Sequence, residues 1–522
     1  MWPYPEVKNV GDFARFNARR NPEKPALLFG DNITTMAELD TLSNQCANGL
    51  VAAGVQPGER VAFYGSNSDD FLIALLGTAK ASACLMPLNW RLSEPELVEV
   101  LRDAAPVFAM VTSELKETLV QVQTLGDFDF AVQEVTPGDP AADPLRHWLA
   151  SFSDSDPCLP CGLDDIAWLL YTSGTSGVPK GVQLTHGGVM MMRLCEHLEP
   201  AYTWSADDTY MFATPNFHLL GIGLTLQAFY NGATIAIIAG FEPNLLLQEI
   251  ERKRPTILGV APVMIQMMLA VPQYKSIDFS SIREVVYAGS AISLGLIKQA
   301  IEVMPCRFMQ FYGSTESGGA ITLLRPEEHD LDSEQRLTSC GKPLPLIEIK
   351  VMDPKGNELP QGTAGEMWVR TPSITIGYRG LADAWSEVFE NGWFKTGDVA
   401  YVDSQGFFYI VDRIKDMIVT GGENVYCSEV ENCLSLHPAV QNVAVIGVPS
   451  ERWGEEVKAC IVLNSGFAEN EAELLTYAKE NLAGYKSPKS VDYVMALPVG
   501  GTGKVLKKEL RAPYWEGHSR KV

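Results

Sequence analysis

Short apolar runs and longer amphipathic stretches take turns along much of this chain, and that alternation restricts the fold more than any other feature. Residues 61–64 read as a strand, 69–81 as a helix and 84–88 as a second strand. The same order returns at 234–239, 243–253, 257–260, 262–270 and 285–288. Parallel strands need a crossover, usually a helix lying on a face of the sheet, so the pattern predicts parallel sheets covered by helices. Over residues 40–53 apolar side chains recur at Leu42, Cys46, Leu50 and Ala53 with a helical period, and Gly54 follows as a stop. Met264, Met267 and Met268 are read as packing residues of their helix.

At 522 residues the chain is too long for one core, so two or more domains are expected. From residue 347 the texture changes to short strands joined by turns, as in IEIKVMDPKGNELP and GEMWVR, which predicts a small β-rich subdomain. Beyond Asp412 and Arg413, three strand-like runs and two helical stretches predict a compact α+β terminal domain. The expected division is therefore an α/β N-terminal domain over 1–412, with the β-rich subdomain at its end, and a small C-terminal domain over 413–522. The acidic, proline-bearing stretch 137–164 reads as a long surface loop.

Lysine and arginine number 41 against 64 aspartates and glutamates, a formal charge of −23. That balance opposes nucleic-acid backbones and anionic membranes, and leaves local cations to handle any anionic ligand. No apolar run approaches the roughly 18 residues that would cross a bilayer, and no basic segment leads into an apolar one at the N-terminus, so a cytoplasmic protein is expected. Of ten cysteines, Cys158 and Cys161 form the one close pair. It lacks a second half with zinc-site spacing, and most thiols are read as reduced, buried small hydrophobes. Oligomeric state stays open, a homodimer included.

Residues 171–188, YTSGTSGVPKGVQLTHGG, form a polar, glycine-laden segment after an apolar run. Gly174, Gly177 and Gly181 permit positive φ and close backbone approach, Ser173, Thr175 and Ser176 offer hydroxyls, and Lys180 offers a mobile cation. These types suit a polyphosphate, although an exposed linker fits the same composition. It is not a Walker A loop, because Pro179 precedes Lys180 and Gly181 follows it. The segment around Lys504 fails the same test: Pro498 stands at the first glycine position and Val505 at the hydroxyl position.

Five further segments line up with this one: PNFHLLG at 215–221, YAGSAIS at 287–293, QFYGSTESGG at 310–319, GWFKTGDVA with VDRIKDMIVTGGENVYCSEVE between 392 and 431, and YKSPKSVDYVMALPVGGTGKVLKKELR at 485–511. Together, over roughly residues 10–511, they resemble the adenylate-forming superfamily of acyl-CoA synthetases, luciferases and peptide-synthetase adenylation domains. A carboxylate resists nucleophiles until it becomes a mixed anhydride, which ATP supplies when the carboxylate attacks its α-phosphorus and pyrophosphate leaves. Both reactants are anions, so catalysis is chiefly charge screening and alignment.

The resemblance implies ATP, Mg2+ and CoA as partners of a carboxylic acid, and assigns residues to each. Thr172, Ser173, Gly174, Thr175 and Lys180 would cradle the β- and γ-phosphates. Tyr312, beside Gly313, would lie against adenine, Thr315 would bond the α-phosphate, and Glu316 would hold Mg2+. Ala288, Gly289 and Ser290 would wall the adenine and acyl group, Asp398 would accept both ribose hydroxyls, and Arg413 would add a ribose or phosphate contact. Lys504 would bridge the substrate carboxylate and α-phosphate from a mobile domain, with Lys415 at the hinge. Turning that domain would exchange Lys504 for Gly421, Gly422, Glu423 and Trp453, the CoA side. His218 would gate the acyl pocket, whereas His186 is expected to cap the following helix, and Lys507 and Lys508 are read as solvated.

The family's acyl pocket falls here near His218, Met264, Tyr287, Gly313, Gly318 and Gly319. These positions are mainly apolar or small and offer no carboxylate to pair an amino group, which favours an uncharged hydrophobic acid. A medium- or long-chain fatty acid leads, followed by aryl, cinnamyl-like, alicyclic and steroid side-chain acids. Gly318 and Gly319 are read as leaving room for a bulky group. An acyl-AMP ligase loading a carrier protein would keep nearly every motif.

Overall fold

A computed structural model of the protein describes residues 6–172, 179–500 and 505–516. These residues form four sheets, two large and two small. The nine-stranded sheet runs Lys342–Pro343, Gly319–Leu324, Arg307–Ser314, Glu284–Ala288, Ile257–Val260, Thr209–Phe212, Thr234–Ile237, Pro25–Phe29 and Asn32–Thr35 from edge to edge. Its centre is parallel: Ile257 pairs with Glu284, and Glu284 with Arg307. The six-stranded sheet runs Ala131–Val135, Phe108–Thr112, Arg60–Tyr64, Cys84–Pro87, Ile166–Thr172 and Lys180–Thr185, parallel except for its last pair. Helix-covered parallel sheets are what the alternation predicts, and the helices Pro243–Lys253 and Pro262–Ala270 have the expected bounds.

The main core joins both large sheets through Phe63, Leu72, Phe212, Ile235 and Phe311, with Leu226 and Phe229 from the helix Leu219–Asn231. A second core under the nine-stranded sheet gathers Met211, Leu258, Ile265 and Ile297. Five antiparallel strands between residues 348 and 413 form the β-rich region. The last sheet, over Ile418–Tyr493, has its own core of Ile418, Val430, Val445, Ile461 and Leu474.

Several expectations need correction. The helix expected at 40–53 begins at Met36, because Thr35 and Glu38 exchange hydrogen bonds as a capping box. Residues 137–164 are not all loop: Asp143 caps a helix over Pro144–Leu149 that buries Leu145 and Leu149. Met267 is 43% exposed, so only its neighbours Met264 and Met268 pack inward. The described part of the C-terminal region holds five strands and three helices, not three and two. The additional ones are a hairpin of three-residue strands, too short to show a period, and the helix Lys507–Trp515, which contains Pro513. No helix among the described residues is long and apolar enough to cross a membrane.

Candidate active site

Neighbouring strands of the nine-stranded sheet deliver the candidate residues at their carboxyl ends, where parallel α/β sheets bind ligands. Thr209–Phe212 leads to residues 213–218, Ile257–Val260 to Met264, Glu284–Ala288 to Gly289 and Ser290, and Arg307–Ser314 to Thr315 and Glu316. Gly289 turns there with φ +93°, and Leu220 approaches within 3.8 Å of where its Cβ would stand. The first turn of Leu219–Asn231 therefore lies over the Ala288–Gly289 turn.

Ser317, fully buried, shapes the turn carrying Thr315 and Glu316: its hydroxyl donates to Gly319 O at 2.7 Å and accepts from Ser314 N at 3.0 Å. Behind it runs the segment 371–379. Ser373 Oγ donates to Ser317 O at 2.8 Å, Thr375 N to Glu316 O at 3.0 Å, and the Tyr378 hydroxyl to Glu316 Oε1 at 3.1 Å. The same segment grips the other large sheet, where Gln183 N donates to Gly377 O at 3.0 Å and Arg379 N to Gly181 O at 2.8 Å. Lys180 Nζ stands 4.7 Å from the centre of the Tyr378 ring. Burial and then the Glu316 carboxylate push the Tyr378 phenol far up, so it stays a donor.

Thr172 faces Lys180 across an antiparallel pair. Ser173, Gly174 and Thr175, with Ser176 and Gly177, lie outside the described residues. Gly181 is a strand residue whose Cβ would meet the Tyr171 ring at 3.0 Å, so it serves close packing and not a left-handed turn.

A second line of contacts crosses from the nine-stranded sheet to the β-rich region. The Tyr312 hydroxyl donates to Asp398 Oδ2 at 2.6 Å, and Arg413 Nε lies 3.1 Å from Asp398 Oδ1. Tyr312 reaches it from the strand Arg307–Ser314, while Asp398 and Arg413 are partners in strand register. Burial and the adjacent Asp398 hold the phenol protonated. Gly313 cannot carry a side chain, since its Cβ would fall 2.0 Å from Gly319 O.

His218 caps Leu219–Asn231 by accepting from Leu220 N at Nδ1, 3.2 Å away, which leaves the proton on Nε2. Its approach is fixed by two buried asparagines. Asn67 Nδ2 donates to Thr214 O at 2.9 Å and Ile238 O at 3.1 Å, and its Oδ1 accepts from Asn216 N at 2.9 Å. Asn216 Nδ2 returns to Gly65 O at 3.0 Å. The ends of strands from both large sheets are thereby tied beneath His218. Tyr287 and Met264 are core residues: Tyr287 is fully buried, its hydroxyl 3.0 Å from His329 Nε2, and Met264 is 5% exposed.

Two expectations change here. Gly318 and Gly319 do not open space beside Glu316, because Cβ atoms there would stand 1.9 Å from Ser373 O and 3.0 Å from the Met192 methyl. His186 is not the cap; Thr185 Oγ1 accepts from Gly188 N, while buried His186 accepts from Val10 N at 3.2 Å.

Lys415 occupies the turn after Phe408–Arg413, half-buried, and its carbonyl accepts from Arg511 at 3.4 Å. Burial lowers the Lys415 pKa. Gly421 and Gly422 make the two-residue turn between Ile418–Thr420 and Glu423–Val425, with φ of +59° and +86°, as a primed hairpin turn requires. Gly421 N donates to Trp453 O at 2.9 Å and Trp453 covers Gly421, so Gly421, Gly422, Glu423 and Trp453 share one surface. Lys504 lies outside the described residues; on either side of it Val499 pairs with Val505. Lys507 is not solvated, since it pairs with Glu431 at 2.7 Å and is only 16% exposed.

Sequence reasoning missed Ser317, Ser373, Tyr378, Asn67 and Asn216. Ser373, Tyr378, Asn67 and Asn216 bond groups distant along the chain, while Ser317, whose hydroxyl bonds are local, accepts from Ser373 at its carbonyl; only TPSITIGY, an uncharged run before Arg379, hinted at an ordered segment.

The arrangement is that of an α/β fold whose candidate residues lie at the carboxyl edge of a parallel sheet. The AMP-binding enzyme profile matches residues 14–379, and that of the AMP-binding enzyme C-terminal domain matches 429–504. The chain is 35% identical to a fatty acid–[acyl-carrier-protein] ligase, ScoC, of Streptomyces coeruleorubidus, over 99% of each protein. It is 37% identical to a feruloyl-CoA synthase of an Amycolatopsis species, over 97% of this chain and 99% of that one. The structure of the anthranilate CoA ligase AuaEII in complex with anthranoyl-AMP superposes with a TM-score of 0.89 at 28% identity, covering 98% of both chains. The chain belongs to the AMP-binding enzyme family and is an ATP-dependent, AMP-forming acid–thiol ligase.

Proposed function

We propose that this ligase activates an uncharged hydrophobic acid, a medium- or long-chain fatty acid, and passes the acyl group to CoA in the cytoplasm. The observation that carries the choice of acid is charge: residues 213–223, 259–265 and 287–293 contain no Asp, Glu, Lys or Arg. A charged group on the acyl part would be desolvated there without a partner. An aryl-propenoic acid is the second reading, favoured by the 37% identity to a feruloyl-CoA synthase.

In this reading Thr172, Ser173, Gly174, Thr175 and Lys180 hold the β- and γ-phosphates, and Thr315 bonds the α-phosphate. Asp398 accepts the ribose hydroxyls, Tyr312 lines the adenine site, and Ala288, Gly289 and Ser290 wall adenine and acyl group. Glu316 would hold Mg2+, which suits one carboxylate plus phosphate oxygens and supplies charge neutralisation there. Support for that fit is that Glu316 makes no ion pair among the described residues and has one oxygen, Oε1, oriented by Tyr378. Lys504 screens the substrate carboxylate from the α-phosphate while the new P–O bond forms and pyrophosphate leaves. Residues 413–522 then turn about Lys415, withdrawing Lys504 and presenting the surface of Gly421, Gly422, Glu423 and Trp453 to the CoA thiol. His218 stands at the acyl entrance.

The test is an acid panel followed by pyrophosphate release with and without CoA. Sustained, CoA-dependent turnover with straight-chain acids supports the reading. Preference for cinnamate-type acids supports the second one, and turnover only with a phosphopantetheinylated carrier protein rejects CoA as acceptor.

A further inference from the structure

We propose that Tyr378 is a positioning residue that sets Lys180 and Glu316 at a fixed separation and keeps both charges available to ATP and its metal ion. The inference rests on the reading of Lys180 as a phosphate contact and Glu316 as the Mg2+ ligand, and adds the residue that joins them.

Three observations converge on Tyr378. Its hydroxyl donates to Glu316 Oε1 at 3.1 Å, and its ring lies 4.7 Å from Lys180 Nζ. It is 8% exposed, with its ring edge-on to Trp385 at 5.4 Å, so its place is set by packing. Its backbone is locked on both sides, to the strand Lys180–Thr185 through the bridge to Val182 and to the Glu316 turn through Thr375 N. One short segment thus carries the spacing between a strand of the six-stranded sheet and a turn of the nine-stranded sheet.

The chemistry explains why a tyrosine suits this place. A lysine and a glutamate meeting directly would neutralise each other, and the nucleotide would have to break that pair. Neither Lys180 nor Glu316 makes an ion pair among the described residues. An aromatic face attracts a cation without cancelling its charge. A phenol donating one hydrogen bond orients a carboxylate and leaves its second oxygen free. The two effects come from different atoms of one side chain and can be removed separately.

The experiment measures equilibrium binding of ATP to the full-length chain by calorimetry, without acid, in excess EDTA and again with Mg2+. In Tyr378→Phe, which keeps the ring, ATP binding in EDTA is expected to stay within about twofold of wild type, while the tightening produced by Mg2+ falls about tenfold, the worth of one hydrogen bond to a charged group. Tyr378→Leu is expected to show that same loss and, in EDTA, a further weakening of about threefold from the lost cation–ring contact. Full Mg2+-dependent tightening in Tyr378→Phe overturns the proposal, as does EDTA binding in Tyr378→Leu equal to that of Tyr378→Phe. Should Tyr378→Leu not fold, Tyr378→Phe decides alone. Failure of the underlying reading looks different: the wild-type chain and Glu316→Gln would then respond to Mg2+ alike.

Discussion

Gly318→Ala tests how tightly the turn carrying Thr315 and Glu316 is held. Gly318 has φ +75°, which costs an alanine about 1–2 kcal/mol. The larger effect is steric. The new Cβ would stand 1.9 Å from Ser373 O, whereas Cβ contacts essentially never fall under 3.0 Å, so something must move by about 1 Å. Ser373 is poorly placed to yield, being fully buried and bonded to Ser317 O at 2.8 Å and to Thr371 at 2.7 Å. The shift therefore falls on the turn that carries Thr315 and Glu316. A misplacement of about 1 Å at aligned reacting groups costs about 100-fold in rate. Acid-dependent ATP–pyrophosphate exchange should fall by that factor in Gly318→Ala, with circular dichroism unchanged. Gly295→Ala is the control, since Gly295 is an exposed residue of the helix Leu294–Val303 and nothing lies within 4 Å of its Cβ position. Exchange in Gly318→Ala within threefold of wild type would refute the claim that Ser373 fixes the turn.

Two further outcomes concern buried groups. Burial lowers the His186 pKa to about 4 from its ordinary 6.5, so the unfolded chain takes a proton that the folded chain refuses. Its contribution is complete above pH 6.5 and is lost as pH falls toward 4, the loss reaching about 2 kcal/mol at pH 5. Urea unfolding of wild type should lose that much more stability between pH 7 and 5 than His186→Gln does, and equal losses would contradict the assignment. Asn67→Ala removes two donors and one acceptor from buried backbone groups, an expected cost of about 3 kcal/mol. It should also raise the KM for the acid more than the KM for ATP, because Asn216 lies two residues from His218; equal changes in both would count against that link.

The sequence was most legible where one period ran long enough to be read. The helices Pro243–Lys253 and Pro262–Ala270 and the strand Ile257–Val260 have the bounds their patterns predict. The order of candidate motifs was legible too, and Tyr312, Asp398 and Arg413, distant along the chain, meet within hydrogen-bond distance. What escaped was set by contacts through space. Tyr378 lies in an uncharged run with no strong period, and its partners Lys180 and Glu316 are far away in sequence. Glycine next to glycine at 318–319 read as room, whereas Ser373 and Met192 occupy it. Lys507 read as a solvated lysine near the end of the chain, yet the helix Lys507–Trp515 brings it to Glu431.

The most direct measurement separates the two half-reactions in Lys504→Ala. If one lysine screens the meeting of carboxylate and α-phosphate and is then withdrawn, acid-dependent ATP–pyrophosphate exchange should be abolished. Formation of the thioester from supplied acyl-AMP and CoA should continue near the wild-type rate. Comparable loss in both half-reactions, or exchange that survives, would contradict the account.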